Sequence, residues 1–419
     1  MLVPSSKRMQ SVGDVLRQQL ARTGRLLSNG RGWTLFVVAA GWLSILGGRY
    51  LFPVVLPQVR RFFEVSNAAA GTAITVLWAG YALMQFPAGA LTDRFGERRL
   101  LAGSLLTGAT AIVAICFAPT FWLFVVGCGL FGLGTGLYGP ARGIVISRTF
   151  GEHDGTAIGV VLATGSIGSA TIPLIASRFV GSIGWQPTVG MLIVPFLLVG
   201  IGVWVVVSQP PIDPDGSGLS PEFLRTVQTA VTRRAVAIAT TAVTLMLFVA
   251  QGLTAFLPTY FVMIKGLEQT TAAGLFSLFF LSGAACQSLA GNAADRFGSP
   301  TVLMTVAGVS VVPLLALPFV EELVPLGVLT VLLGSRLAIN PVSNAYIIAV
   351  VPDAVQGTAW GFLRTSFFLL AATGSTVVGA LFDAQLANAA IIGLAALSAV
   401  ATGLYVFLPT RTAVDSGSV

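Results

Sequence analysis

The sequence predicts an all-α membrane protein of twelve transmembrane helices, six in each of two related halves. Three observations predict it. The chain of 419 residues is 55% hydrophobic and only 9% charged, with a mean hydropathy of +0.87. A soluble domain carries roughly 25% charged residues, so this chain has too few to cover a water-exposed globule. Apolar runs of close to the ~20 residues that cross a bilayer as a helix recur along its length. Finally, one short string occurs twice: Gly89 to Gly96 reads G-A-L-T-D-R-F-G, and Gly291 to Gly298 reads G-N-A-A-D-R-F-G.

The copies set a coordinate system. Asp93 and Asp295 are 202 positions apart, and Gly155-Thr156-Ala157 recurs at the same offset as Gly357-Thr358-Ala359. Gln85-x-x-Ala88-Gly89 likewise matches Gln287-x-x-Ala290-Gly291. Two motifs sharing one offset mean a duplicated half-molecule. The apolar runs fall at 33–56, 67–89, 100–118, 121–146, 155–177 and 186–207, then at 235–263, 271–291, 299–318, 324–350, 356–382 and 389–408. Six spans per half let both repeats enter the membrane in the same direction. The expected organisation is a basic tail over 1–32, a first bundle over 33–207, a linker over 208–234, a second bundle over 235–409 and a tail over 410–419. The linker is rich in Pro and Gly, and Ser220-Pro221-Glu222 within it reads as a helix start.

The net charge of +7 sits in a tail and in short loops between apolar spans, which excludes nucleic-acid binding and makes it an orientation signal. Most Lys and Arg fall on the side that carries the tails, the D-R-F-G loops and the linker. The other side holds only Arg60, Arg61, Arg178 and Lys265. The positive-inside rule therefore predicts a multi-pass protein of the cell membrane with both termini cytoplasmic. The first apolar run is followed by eleven more, so the basic start does not read as a signal peptide. Val12, Val15, Leu16 and Leu20 recur at helical spacing beside Arg17, Arg22 and Arg25, which fits an interfacial helix on anionic lipid or a disordered basic tail equally. Cys116, Cys128 and Cys286 lie in apolar runs and suggest neither disulfides nor a metal site, and His153 reads as a solvated loop residue. No cofactor is expected.

The repeated string carries chemistry. Gly89, at the end of span two, allows close helix approach. Asp93 sits at the membrane surface, where a carboxylate meets a helix N-terminus or an arginine. Gly96 permits the tight turn into span three, and Arg94, Arg98 and Arg99 hold the loop on the cytoplasmic side. Gly291, Asp295, Arg296 and Gly298 repeat the arrangement.

On these residues the chain resembles the major facilitator superfamily, whose loop signature G-x-L-x-D-R-x-G-R-K-x-x-L is met by Gly89, Leu91, Asp93, Arg94, Gly96, Arg98 and Leu101; Glu97 departs from it. The resemblance implies two six-helix bundles related by pseudo-two-fold symmetry, a central cavity and alternating access. It also implies that Asp93 latches the cytoplasmic side against the start of span eleven near Gly357, with Arg142 as a partner. Gly132, Gly134 and Gly136 match the span-four signature, but its arginine position is Cys128, so coupling protons through that signature gains no support. Gly165, Gly168 and Pro173 do not reproduce the span-five antiporter signature.

Three arginines lie inside spans: Arg49, Arg336 and Arg364. A midplane arginine costs about 2.5–3.5 kcal/mol on insertion scales, so all three are expected to face a wet interior. No acidic residue sits within the core of a span; Asp383 comes nearest. Unpaired guanidinium in a transport path favours a negatively charged substrate. Arg49 maps near Gln251 and Arg336 near Gly134, so the charges are not repeated between halves. The missing arginine pair in spans one and seven weakens a phosphate-ester assignment. Gln251, Tyr138 and Asn340 are the polar candidates beside the arginines, and Pro140 and Pro341 are expected to bend spans four and ten.

The expected function is secondary active or facilitative transport of a small anionic organic solute by alternating access, with a coupling proton or ion left open and a monomer expected. Two alternatives stand beside it: an exporter of hydrophobic or neutral compounds, and a non-transporting membrane sensor. No G-x-x-x-x-G-K-[ST] loop, metal constellation or catalytic triad is present, so an enzyme is not expected.

Overall fold

The computed structural model describes residues 31–151, 154–209, 234–351 and 356–409, without the side chains of Ala90, Asp93 and residues 356–358. The basic tail to residue 30, His153, most of the linker and the tail from 410 lie outside the described residues. Twelve helical segments run in order, of which eleven among the described residues, all but α2, are long and apolar enough to cross a membrane: α1 Arg31–Phe63, α2 Asn67–Gln85 continued by Pro87–Phe95, α3 Glu97–Cys116, α4 Phe121–Phe150, α5 Asp154–Ile183 and α6 Trp185–Val206. The second half holds α7 Arg234–Met263, α8 Gln269–Phe297, α9 Ser299–Phe319, α10 Leu323–Val350, α11 Gln356–Ala372 continued by Gly374–Asp383, and α12 Ala387–Val406. No strand occurs among the described residues. Helices α1–α6 form one bundle and α7–α12 the other. The face where α1 begins and α12 ends is called the tail face below, and its opposite the far face.

Several helices outrun their apolar segments. The 33 residues of α1 span about 50 Å, against a hydrocarbon core of about 30 Å. The apolar run stops where Pro57, Gln58, Arg60 and Arg61 begin, but the helix continues, because backbone hydrogen bonding does not require apolar side chains once it leaves lipid. The expected bends also occur. Helix α4 is interrupted at Leu137, between Phe121–Gly136 and Tyr138–Phe150. Helix α10 tightens to a 3₁₀ turn over Ser335–Ala338 before Ile339–Val350. Each break lies just ahead of a proline, Pro140 or Pro341, which cannot supply the i→i−4 hydrogen bond.

The 202-residue repeat is visible in the packing. Gly96 and Gly298 both adopt positive φ, 77° and 83°, a region that favours glycine. Their amides bond Thr92 O at 2.7 Å and Ala294 O at 2.9 Å, closing the same turn in each half. Gly132 of α4 lies so close to α2 that a Cβ there would overlap Leu77 O. At the same offset, a Cβ on Gly334 of α10 would overlap Phe279 O of α8. Helix pairs in lipid gain little from apolar burial and depend on such close backbone approach.

The bundles meet mainly along α2 with α11 and α5 with α8. On the far half, Gly71 backs onto Ser375 O and Gly379 onto Asn67 O. Thr75 Oγ1 donates to Ala372 O at 2.8 Å, and Ser277 Oγ of α8 donates to Ala170 O of α5 at 2.6 Å. Toward the tail face the α2–α11 contact reaches Phe86 against Gly361, whereas a Cβ on Gly89, Gly155, Gly159 or Gly291 would meet nothing within 4 Å. The described arrangement is sealed on the far face and loosely joined on the tail face.

Gly132→Ala is expected to force α2 and α4 apart at a cost of about 1–3 kcal/mol. Thermal unfolding of the detergent-solubilised protein checks this, with a lower melting temperature expected. Gly139→Ala, where a Cβ would meet nothing within 4 Å, is expected to leave it unchanged.

Candidate functional site

Two guanidiniums meet one phenol at the seam between the bundles, and a third lies near them. Tyr81, buried in α2, lies within electrostatic reach of Arg49 of α1, Arg142 of α4 and Arg364 of α11. Arg364 Nη2 donates to Tyr81 Oη at 3.3 Å across the bundle interface. The Arg49 guanidinium lies over the Tyr81 ring, 4.1 Å from its centroid, and 5.3 Å from that of Trp78. Arg142 lies 4.1 Å over the ring of Trp42.

The local sequence places these groups. Trp42 and Arg49 are seven residues apart on α1, and Thr135, Tyr138 and Arg142 recur at helical spacing on α4, so each set shares a face. Arg49 is 2% exposed. Its Nη2 and Nε donate to Thr135 Oγ1 at 3.0 and 3.3 Å. Thr135 Oγ1 donates in turn to Phe131 O at 2.7 Å. Tyr138 Oη donates to Val38 O at 3.0 Å, and its ring stacks beside Trp42. Trp360 and Phe368 flank Arg364 at 5.8 and 5.6 Å.

The cluster holds spare donors and no described carboxylate. Arg142 Nη1, Arg364 Nε and Trp42 Nε1 are buried without a hydrogen-bond partner. The only described ion pair is Arg148 with Glu97, at the tail ends of α4 and α3. Buried polar groups are ordinarily satisfied, and unpaired ones are costly. What would satisfy this set is an acceptor, best an anionic one held by two guanidiniums beside aromatic faces.

The remaining candidates are placed elsewhere. Arg336, 4% exposed, points into the second bundle, where Nη1 donates to Ser398 Oγ of α12 at 3.2 Å and Nη2 to Met246 O of α7 at 3.4 Å. Gln251 is buried in α7, and its backbone carbonyl accepts from Ser375 Oγ of α11. Asn340 is half-buried in α10 with Oδ1 unpartnered. None of these three joins the Tyr81 group.

Of the loop string, Gly89 ends in open space, Arg94 is exposed against Phe95, and Arg98 lies 5.0 Å over the Trp204 ring. Gly291, Asp295, Arg296 and Gly298 are exposed in the second copy. The carboxylate of Asp93 and the side chains near Gly357 lie outside the described residues, and with them the expected tail-face latch. Arg142, expected beside that latch, turns its guanidinium toward Trp42 of α1.

A seal on the opposite face emerges instead. Asp383, the last residue of α11, accepts from Asn67 N at 2.7 Å, Asn67 Nδ2 at 2.8 Å and Ala68 N at 2.8 Å. A second-bundle carboxylate thus caps the N-terminus of first-bundle helix α2, where its unpaired N–H groups and positive dipole end favour an anion. Arg60 Nη1 steadies Asn67 through Oδ1 at 3.0 Å. Gln269 of α8 adds bonds to Gln58 at 2.5 Å and Val54 O at 2.7 Å.

A family model described as Major Facilitator Superfamily matches residues 37–335 and 266–418. Multidrug resistance protein MdtG of Serratia proteamaculans is 24% identical over 391 residues, 87% of this chain and 91% of that protein. Niacin transporter NiaP of Acinetobacter baylyi is 26% identical over 186 residues, 42% of this chain and 40% of that protein. The human protein SVOPL is 27% identical over 155 residues, 35% of this chain and 30% of that protein. The chain therefore spans less than half the length of SVOPL and NiaP. Among solved structures, a bacterial homologue of the human lysosomal transporter Spinster, inward-facing and unoccupied, superposes with a TM-score of 0.75 at 16% identity, covering 90% of this chain and 96% of that one.

Asp383→Asn would set an amide N–H₂ against the α2 amides and is expected to loosen the far face. A hydrogen bond to a charged group contributes about 1.5–3 kcal/mol, so the open population should rise tenfold or more. Labelling of a cysteine introduced at Thr376 measures this; an unchanged labelling rate would remove Asp383 from the seal.

Proposed function

The chain belongs to the major facilitator superfamily, and we propose that it carries a small organic anion across the membrane by alternating access, seating it between Arg49, Arg142 and Arg364 at Tyr81. The observation that carries this reading is the meeting of cations from both bundles with no described carboxylate among them. Arg49 and Arg142 belong to one bundle and Arg364 to the other, so the three repel across the seam. An anion between them replaces repulsion with attraction and draws the bundles together. A ligand shifts a conformational equilibrium only through such a difference in binding free energy between states.

The aromatic walls add a second selectivity. Trp42, Trp78, Trp360 and Phe368 surround the guanidiniums, which suits a substrate with an apolar or aromatic body behind its charged group. The name of NiaP gives niacin, a pyridine carboxylate, as that protein's substrate, and the same pairing of chemistries supports the reading here. Arg336 is read as a brace of the second bundle, since its Nη1 and Nη2 reach Ser398 and Met246 within that bundle, with Nε left unpartnered. The abundance of Lys and Arg on the tail face supports a cell-membrane orientation with both termini cytoplasmic. The alternative, export of hydrophobic or neutral compounds, draws support from the similarity to MdtG.

Flux of labelled aromatic monocarboxylates into proteoliposomes tests the seat. Arg142→Ala and Arg364→Ala are each expected to lower kcat/KM roughly tenfold or more, the worth of a charged hydrogen bond. Arg336→Met is expected to lower the melting temperature while leaving KM near its starting value. Equal transport of anions and uncharged isosteres, unaffected by either arginine substitution, would overturn the anion reading in favour of the exporter.

A further inference from the structure

A groove of about 330 Å³ runs between α3 and α6 on the outer wall of the first bundle, lined by Arg99, Gly103, Leu106, Leu197, Gly200 and Trp204 among others. It is independent of the anion seat. Its walls belong to the lipid-facing surface, since Leu106, Leu197 and Trp204 are all well exposed. The groove exists because two glycines floor it: a Cβ on Gly103 would meet nothing within 4 Å, and one on Gly200 only Leu105 Cβ at 3.6 Å.

One end of this apolar slot is cationic. Arg99 is exposed at the tail-face mouth, and Arg98 beside it lies 5.0 Å over the Trp204 ring with its Nε buried and unpartnered. Neither pairs with a described carboxylate; Glu97 on the same turn is taken by Arg148. Tryptophan at a helix end marks the level of lipid headgroups, and basic pockets between helices at that level hold anionic ones. From Arg99 to Leu106 the groove rises about 10 Å into the bilayer, along which only hydrocarbon is a fitting occupant.

We propose that this groove is a binding site for an anionic phospholipid, with its phosphate on Arg98 and Arg99 and one acyl chain laid along Gly103 and Gly200 between α3 and α6. The occupant would brace a corner already tied together by Gln209 Nε2 donating to Phe95 O and Arg148 Nη2 donating to Ser208 O. The tail ends of α2, α3, α4 and α6 meet there, so the lipid sits against the D-R-F-G turn.

Native mass spectrometry of the full-length protein in mild detergent tests this. The protein is titrated with phosphatidylglycerol, with phosphatidylcholine of the same chains, and with free glycerol phosphate. The wild type is expected to retain phosphatidylglycerol selectively. Arg98→Gln with Arg99→Gln is expected to weaken that binding by about fivefold per arginine lost. Gly103→Leu fills open space in the groove and is expected to displace the lipid with the melting temperature retained. Equal retention of the two lipids, binding of glycerol phosphate in place of the lipid, or unchanged phosphatidylglycerol binding in both variants would each overturn the proposal. The arginine double variant leaves the groove intact, so its lipid binding decides the question even if Gly103→Leu fails to fold.

Discussion

Positive charge with no described carboxylate beside it, held at the seam between two bundles, is the constraint on which the rest of this molecule turns. Guanidinium in a membrane interior is tolerated where water, π faces or hydrogen-bond acceptors replace bulk solvent. Here Trp42, Trp78 and Tyr81 supply the faces, and Thr135 supplies an acceptor. These contacts are enough to hold the arginines in place, yet they leave donors on Arg142 and Arg364 unfilled. A fully satisfied cluster would have no need of a ligand. On the proposed reading, the unfilled donors are where the anion's oxygens are received.

The seam works because the helices around it are held by backbone proximity. Gly132 against α2 and Gly334 against α8 make each bundle a stiff body, while the α2–α11 contact between bundles relies on glycines, hydroxyls and one carboxylate. Alternating access, as proposed, requires the polar bonds between the bundles to break and re-form. The Asp383 cap suits that role: its partners are neutral amides at a helix end, which can be rehydrated when the bundles part.

Much of this was legible in the sequence. The apolar runs and the 202-residue offset carry the twelve crossings and the paired turns at Gly96 and Gly298, because span length and positive φ leave local marks. Arg49 and Arg364 stand out as charges in apolar runs. Arg142 does not, since its backbone lies near the tail face beside the gate loop. Helix α4 runs toward that face and its side chains lean back toward the helix N-terminus, which carries the guanidinium inward to Trp42. Tyr81 is silent in the sequence because its importance comes from three other helices. The partners of Asp383 are backbone amides more than 300 positions away, and a backbone amide has no residue signature.

The duplication also bears on stoichiometry. The position equivalent to Tyr81 in the second half is Gly283, and it is packed against Leu337 and the Gly334 carbonyl. The space that a phenol occupies in the first half is filled by the neighbouring helix in the second. Arg336, the second half's own buried cation, turns Nη1 and Nη2 to Ser398 and Met246 within that bundle. A duplicated transporter could in principle keep two equivalent cargo sites and carry two equivalents per turn. On the proposed reading the seat at Tyr81 has no counterpart at the equivalent position of the second half, which fits one equivalent of cargo per cycle.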